Sequence, residues 1–277
     1  MKVVVLGDTG MLGGMLYRYL KEEGVNVVGL SRKDGVEVGP GHSVQHRVDD
    51  DADYIINCIG AIKPVFNDES RLVEAIYTNA IFPHELPKLF PDSKVIHITT
   101  DCVFDGSDGG YTESSLHAPL DEYGKSKSLG EPDTCMVLRT SIIGPEWGGN
   151  KRSLFEWFLG QYKSSVNGYT NHLWNGLTTL ELSRCIYDIM VNDFYSTGTH
   201  HLFSTDVTKY ELLRIMESWL KRGIAVNPVE AGTSCNRTMR TTKKLNSILK
   251  PKSISGMIED LIPYVEKQKV GFFDEPL

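Results

Sequence analysis

Tyr123 and Lys127 flank the segment Tyr123-Gly124-Lys125-Ser126-Lys127, a Tyr-x-x-x-Lys spacing. In a helix, residues four apart rise on one face, so the phenol and the ammonium would stand side by side. A neighbouring ammonium draws a phenol's pKa down from about 10 and equips it to exchange a proton near neutrality. Upstream, the run Val95-Ile96-His97-Ile98-Thr99 passes into Thr100-Asp101-Cys102-Val103-Phe104. If that run is a parallel strand, the Thr100 hydroxyl stands at its C-terminal end, where open α/β sheets bind ligands. A third signal is the G-x-x-G-x-x-G loop Gly7-Asp8-Thr9-Gly10-Met11-Leu12-Gly13. Between a strand and a helix, such a loop offers free N–H donors and the positive end of the helix dipole to a phosphate. Side chains at the glycines would block the approach. Each motif alone has a plainer reading, a solvated helix face or a tight turn. The place of the loop, straight after an N-terminal strand, makes a pyrophosphate pocket the better one.

The elements that must hold these groups follow from periodicity. Val3–Leu6 is a continuous apolar run of buried-strand type. Met11–Lys21 carries Leu12, Leu16, Tyr19 and Leu20 at helical spacing and stops at Gly24. Val25–Leu30, Tyr54–Ile59, Val95–Thr99 and Met136–Thr140 repeat the strand signature, with helical segments between. Strand–helix alternation predicts an α/β fold, a doubly wound parallel sheet. Residues 1–144 are expected to be mainly this dinucleotide-binding Rossmann domain. Residues 145–277 are expected to form a smaller C-terminal substrate lobe, interleaved with the first. In that half, helices are predicted at Leu154–Leu159, Thr179–Phe194, Lys209–Leu220 and Met257–Lys267, and a short strand at His201–Ser204.

Composition excludes several functions. The 277-residue chain carries a net charge of −7, which disfavours nucleic-acid binding. Five scattered cysteines with no Cys-x-x-Cys pair argue against a disulfide framework or a zinc site and suit a reducing, cytoplasmic compartment. No apolar run approaches the ~20 residues that span a bilayer. His200-His201 reads as a core and a surface neighbour rather than a metal site, and no metal is expected.

The end of the second predicted strand, Leu30-Ser31-Arg32-Lys33, lacks the acid that usually binds the adenosine ribose of NAD. Ser31 and Arg32 offer a hydroxyl and a cation to a 2′-phosphate instead, so NADPH is the expected cofactor, with NADH as the alternative. A solvated basic turn is the plainer reading of the same residues.

In order along nearly the whole chain, the glycine loop is followed by Ile56-Asn57-Cys58-Ile59-Gly60 and Thr78-Asn79-Ala80. Then come Thr99 to Gly106, the Tyr-x-x-x-Lys block with Gly130-Glu131, and Leu138-Arg139-Thr140-Ser141. This series resembles the extended short-chain dehydrogenases, specifically the dTDP-4-dehydrorhamnose reductase-like branch. The resemblance implies a catalytic triad of Thr100, Tyr123 and Lys127. Tyr123 would protonate the alkoxide formed when a ketone accepts hydride, Thr100 would hold that oxygen, and Lys127 would hold the nicotinamide ribose. It implies a cofactor bed of Gly7, Thr9, Gly10, Met11, Leu12, Gly13, Ser31, Arg32, Asn57, Cys58, Gly60, Thr140 and Ser141. For Asn57 a strand-end cap, and for Arg139 a structural ion pair, are equally good readings. Asn79 would support the site or join two helices.

The substrate implied is a nucleotide-linked 6-deoxy-4-keto sugar. Arg237 and Arg240, in the basic turn Asn236-Arg237-Thr238-Met239-Arg240, are candidates to clamp its diphosphate. Solvated surface arginines are the alternative. Relatives usually carry Tyr in place of Cys102 and Trp in place of Ile142. Cys102 opens a second reading, a 3,5-epimerase/4-reductase in which the thiol transfers a proton, against a plain space-filling role. No second acid or base for that reaction is evident near Lys151 and Arg152. A third reading, from another class, is a regulatory subunit that binds a dinucleotide without catalysis. A homodimer is a family expectation.

Overall fold

The computed structural model describes residues 1–41, 44, 47, 48, 51–148 and 151–268. Its centre is a parallel six-stranded sheet made of β1 (Lys2–Leu6), β2 (Asn26–Leu30), β3 (Tyr54–Asn57), β4 (Lys94–Thr100), β5 (Met136–Thr140) and β10 (Gly198–His201), in the order β10-β5-β4-β3-β1-β2. The chain winds one way from β1 to β2 and the other way from β3 onward. The winding therefore reverses between β1 and β3, and the crevice at their C-terminal ends is where such sheets take a ligand.

Alternation along the strands supplies two faces. Val3, Val5, Ile56, Ile96 and Leu138 point into one apolar layer, with α1 (Met11–Glu22) and α6 (Thr179–Val191). Val4, Leu6, Ile55, Val95 and Val137 point into the other, against Phe82 and Leu86 of α3 (Phe82–Leu89). Before α3 the chain forms α2 (Leu72–Ile76) and a π-helical turn, Tyr77–Ile81. α4 (Glu122–Leu129) precedes β5, and α5 (Leu154–Leu159) follows it. Phe155, Phe158, Leu213 and Leu261 share the first layer with Val3 and Val5, so the second half adds to the main core.

That half holds more strand than its periodicity predicts. β6 (Ile142–Ile143) pairs with β9 (Leu177–Thr178), and β7 (Ser165–Tyr169) pairs with β12 (Ala225–Val229). β8 (His172–Trp174) lies between β11 (Val207–Thr208) and β13 (Cys235–Asn236). Strands of two to five residues are too short to show alternation. The strand expected at His201–Ser204 lies three residues earlier, at Gly198–His201, because its partner is β5 in the main sheet. α6 ends at Val191, with Asn192 as its cap, short of the expected Phe194. α7 (Lys209–Leu220), α8 (Leu245–Leu249) and α9 (Ile254–Gln268) complete the chain. No described helix is long and apolar enough to cross a membrane.

Candidate active site

The glycine loop joins β1 to α1. Gly7 has φ +89°, where only glycine sits without strain, and its N–H donates to Leu30 O at 2.7 Å. A Cβ on Gly13 would lie 2.2 Å from Gly7 O, so the helix and loop approach too closely for any side chain. Gly10 caps α1 with no side-chain hydrogen bond and no acid in the first turn, leaving its N–H groups and dipole to an outside anion. Thr9 and Gly10 are exposed, Met11 is half-buried and Leu12 packs inward. The loop therefore presents backbone, and its residues fit a pyrophosphate.

Asp8 is a feature that sequence reading passed over. Its side chain is 4% exposed, lies against Gly29 of β2 and pairs with Lys33 at 2.8 Å. Ser31 is buried, and its N–H donates to the Asp34 carboxylate at 3.0 Å. Lys33 and Ser31 are thus engaged locally, while Arg32 is exposed.

Thr100 ends β4 and accepts a hydrogen bond from Cys102 N–H at 3.2 Å, while its hydroxyl donates to Asp101 at 3.2 Å. α4 starts from Asp121, whose carboxylate accepts from Gly124 N–H at 2.8 Å. A Cβ on Gly124 would lie 2.4 Å from Cys102 O, so glycine lets the helix seat against the end of β4. This seating sets Tyr123 near the Thr100 hydroxyl, and Tyr123 packs edge-on against Phe66. Lys127 is buried, donates to Ile98 O at 3.3 Å and lies beside Gly60. Burial pushes the Lys127 pKa down to about 8.

The phenol departs from expectation. Burial first, and then the neighbouring Cys102, push the Tyr123 pKa up, against a lowering effect of the nearby Thr100 hydroxyl. The depression expected from Lys127 does not appear: Lys127 is not among the groups that act on the phenol, and desolvation of a phenolate dominates. At neutral pH the phenol keeps its proton, as a proton donor must.

Several expected cofactor contacts turn inward. Asn57 is fully buried, its amide facing His97 Nδ1 at 3.0 Å and its oxygen accepting from Ile59 N–H at 3.1 Å, so it is a strand-end cap. Thr140 is buried, and its hydroxyl turns back to Ser141 O at 3.3 Å. Both are held there because a buried polar group needs a partner. Cys58 places its backbone against Gly7, and burial pushes its thiol up to about 12. Ser141 and Met11 do line a cavity, shared with Ile142, Trp174 and Lys209. Asn79 joins two supports: its amide donates to Ser126 of α4 at 3.1 Å and to Ala61 O at 2.9 Å.

Arg139 does not reach the crevice. It is 2% exposed, forks onto Glu131 with Nε to Oε1 at 3.0 Å, and donates to His201 Nε2 at 2.7 Å and His117 Nε2 at 2.8 Å. A guanidinium only donates, so both ring nitrogens facing it must be unprotonated. Burial accordingly pushes His201 down to about 4 and lowers His117. The unfolded chain gains these protons near pH 6.5, while the native state takes them up only at lower pH, near 4 for His201. Stability is therefore expected to fall as pH drops from about 6.5 toward 4, by about 1.4 kcal/mol per pH unit for His201 alone. Urea midpoints across that range should decline toward acid, and a flat profile would contradict the network.

In the basic turn, Arg237 donates to Phe104 O at 3.0 Å and its Nη1 lies 3.8 Å from Cys102 Sγ. Arg240 does not join it. Its guanidinium forks onto the exposed Asp206 at 2.6 and 3.0 Å, so it is already paired with an acid. His200 bonds Ser196 and His201 faces Arg139, so the two rings serve different neighbours.

An uncapped glycine loop at the switch point of a parallel sheet, with Thr, Tyr and Lys gathered at the end of β4, defines the Rossmann fold of the extended short-chain dehydrogenases. The chain belongs to the family described as RmlD substrate binding domain, whose model matches residues 1–260. It is 32% identical to the spore coat polysaccharide biosynthesis protein SpsK of Bacillus subtilis, over 76% of this chain and 75% of that one. It is 34% identical to the probable low-salt glycan biosynthesis reductase Agl14 of Haloferax volcanii, over 52% of this chain. The match spans only about half of that reductase, 54% of its length. In structure it is similar to the dTDP-4-dehydrorhamnose reductase of Bacillus anthracis in complex with NADP, with TM-score 0.77, 23% identity, and 95% and 99% of the two chains covered.

Proposed function

We propose that the protein is an NADPH-dependent reductase of the 4-keto group of a nucleotide-linked 6-deoxy-4-keto sugar, serving glycan precursor synthesis. The observation that carries this reading is the seating of α4 against the end of β4, which sets Tyr123 near Thr100 with Lys127 one turn along the helix. The glycine loop and Arg32 would hold the dinucleotide, and residues from 145 onward would supply most of the sugar-nucleotide side. When bound, the reduced nicotinamide supplies the hydride that goes to C4. The C4–O double-bond pair becomes an alkoxide, which Thr100 holds by hydrogen bonding and Tyr123 protonates through its Oη. Lys127 holds the cofactor ribose and carries positive charge beside the reacting groups. A cytoplasmic location and a homodimer accompany the reading as family properties.

Cys102 favours plain reduction over combined epimerisation. Burial, and then Asp101, push its thiol up to about 11, so at neutral pH it is a poor base. Cys102→Ser is expected to leave ketone reduction intact; loss of turnover on an unepimerised ketosugar alone would restore the bifunctional reading. The direct test incubates the protein with NADPH and a panel of dTDP-, UDP- and GDP-linked 4-keto-6-deoxy sugars, following the reduced-nicotinamide absorbance. No oxidation with any of them would overturn the proposal. Because Lys33 is tied to Asp8, the preference for NADPH rests on Arg32. Arg32→Ser should reduce the NADPH-to-NADH affinity ratio by about tenfold, one charge-assisted phosphate contact. An unchanged ratio in paired fluorescence titrations would remove Arg32 from the cofactor site.

A further inference from the structure

We propose that Lys209 is the second cation of a diphosphate clamp, acting with Arg237 on the diphosphate of the sugar nucleotide, a role for which the sequence had offered Arg240. The inference rests on the sugar-nucleotide reading. Lys209 is the first residue of α7, and its side chain enters the cavity lined by Ser141, Ile142 and Trp174. Among the described residues its ammonium has no carboxylate at ion-pair distance; it rests over the Trp174 ring, 4.9 Å from the centroid. Arg237 likewise has no carboxylate at ion-pair distance among the described residues; it bonds the carbonyls of Phe104 and Asp105 and lies near the Cys102 thiol.

The two cations share their surroundings. Lys209 and Arg237 both face Asp101, Cys102 and Cys235, and Arg237 repels Lys209. Asp101 does not neutralise them well, since its burial favours the protonated form. Asp121 also faces Arg237, but it is paired with Lys63 at 2.8 Å. Two cations that share one buried acid keep net positive charge between them, which suits a divalent anion. The cavity that Lys209 enters also reaches Met11 of the glycine loop, so the cofactor's own diphosphate is the competing occupant that the test must separate.

The test is calorimetric. Protein saturated with NADPH is titrated with dTDP, UDP and GDP, and with thymidine, uridine and guanosine as controls lacking the diphosphate. For whichever nucleoside diphosphate binds, Lys209→Met is expected to weaken affinity by about tenfold or more, and Lys209→Arg to retain most of it. Arg240→Met should leave it unchanged, the plain nucleoside should be indifferent to Lys209, and NADPH affinity should be unaltered in every variant. Wild-type affinity in Lys209→Met would overturn the clamp while leaving the reductase reading in place. An equal loss of NADPH affinity would also overturn it, by assigning the cation to the cofactor's own diphosphate or to the packing of the half. Absence of nucleoside diphosphate binding by the wild type would remove the sugar-nucleotide reading and the clamp together.

Discussion

Tyr123→Phe is expected to lower turnover by about 100- to 10,000-fold, the usual worth of a positioned general acid, with dinucleotide affinity unchanged. The substitution removes one oxygen and keeps the ring, which stays packed against Phe66 at 6.2 Å between centroids. What is lost is the proton that must reach the C4 oxygen as hydride arrives at carbon. Because burial raises the Tyr123 pKa, that proton is present throughout the neutral range. The rate should instead fall above about pH 8, where Lys127, lowered to about 8, gives up its charge. Single-turnover measurements with saturating NADPH would check both effects. A protein that serves only as a dinucleotide-binding regulatory subunit would be indifferent to the loss of the hydroxyl, so full function in Tyr123→Phe would favour that class.

The largest effect on stability is expected from Arg139→Met. Arg139 and Glu131 are both buried, 2% and 6% exposed at their side chains, and removing the guanidinium strands a carboxylate. Breaking one partner of a buried pair costs about 3–5 kcal/mol, a large share of the roughly 5–15 kcal/mol that holds a domain together. The same change deprives His117 and His201 of their donor and uncovers the Phe104 ring, over which the guanidinium lies at 5.2 Å. Urea denaturation should show a lower midpoint with an unchanged slope. The double variant Arg139→Met with Glu131→Leu should recover much of the loss, since no charge is then left alone. A single variant as stable as the wild type would mean that the fork is relaxed and solvated in solution. Arg139 sits opposite Thr99 in the β4–β5 register, so the network stiffens the strand end that carries Thr100.

Arg139 illustrates what a sequence reading can and cannot reach. Its neighbour in sequence, Ser141, does line the cavity, while Arg139 itself turns to Glu131 and to His201, which lies 62 positions along the chain. Asn57 and Thr140 stand beside motifs, yet their side chains satisfy the interior. Arg240 goes to Asp206, and Lys209, which no motif marks, enters the cavity.

The difference is one of range. A Gly-x-x-Gly-x-x-Gly turn, an apolar run of four and a Tyr-x-x-x-Lys turn are local. The backbone geometry that makes them useful is encoded within a few residues, so the glycine loop, the alternating α/β order and the face shared by Tyr123 and Lys127 could be read directly from the chain. The pairing of charges could not. Which cation meets which acid, and which is left without one, depends on elements brought together from distant positions and on how deeply each group is buried. Only the tertiary structure raised the Tyr123 pKa, tied Lys33 to Asp8 and Arg240 to Asp206, and brought Lys209 into the cavity, because desolvation and Coulomb energy act through space and not along the chain.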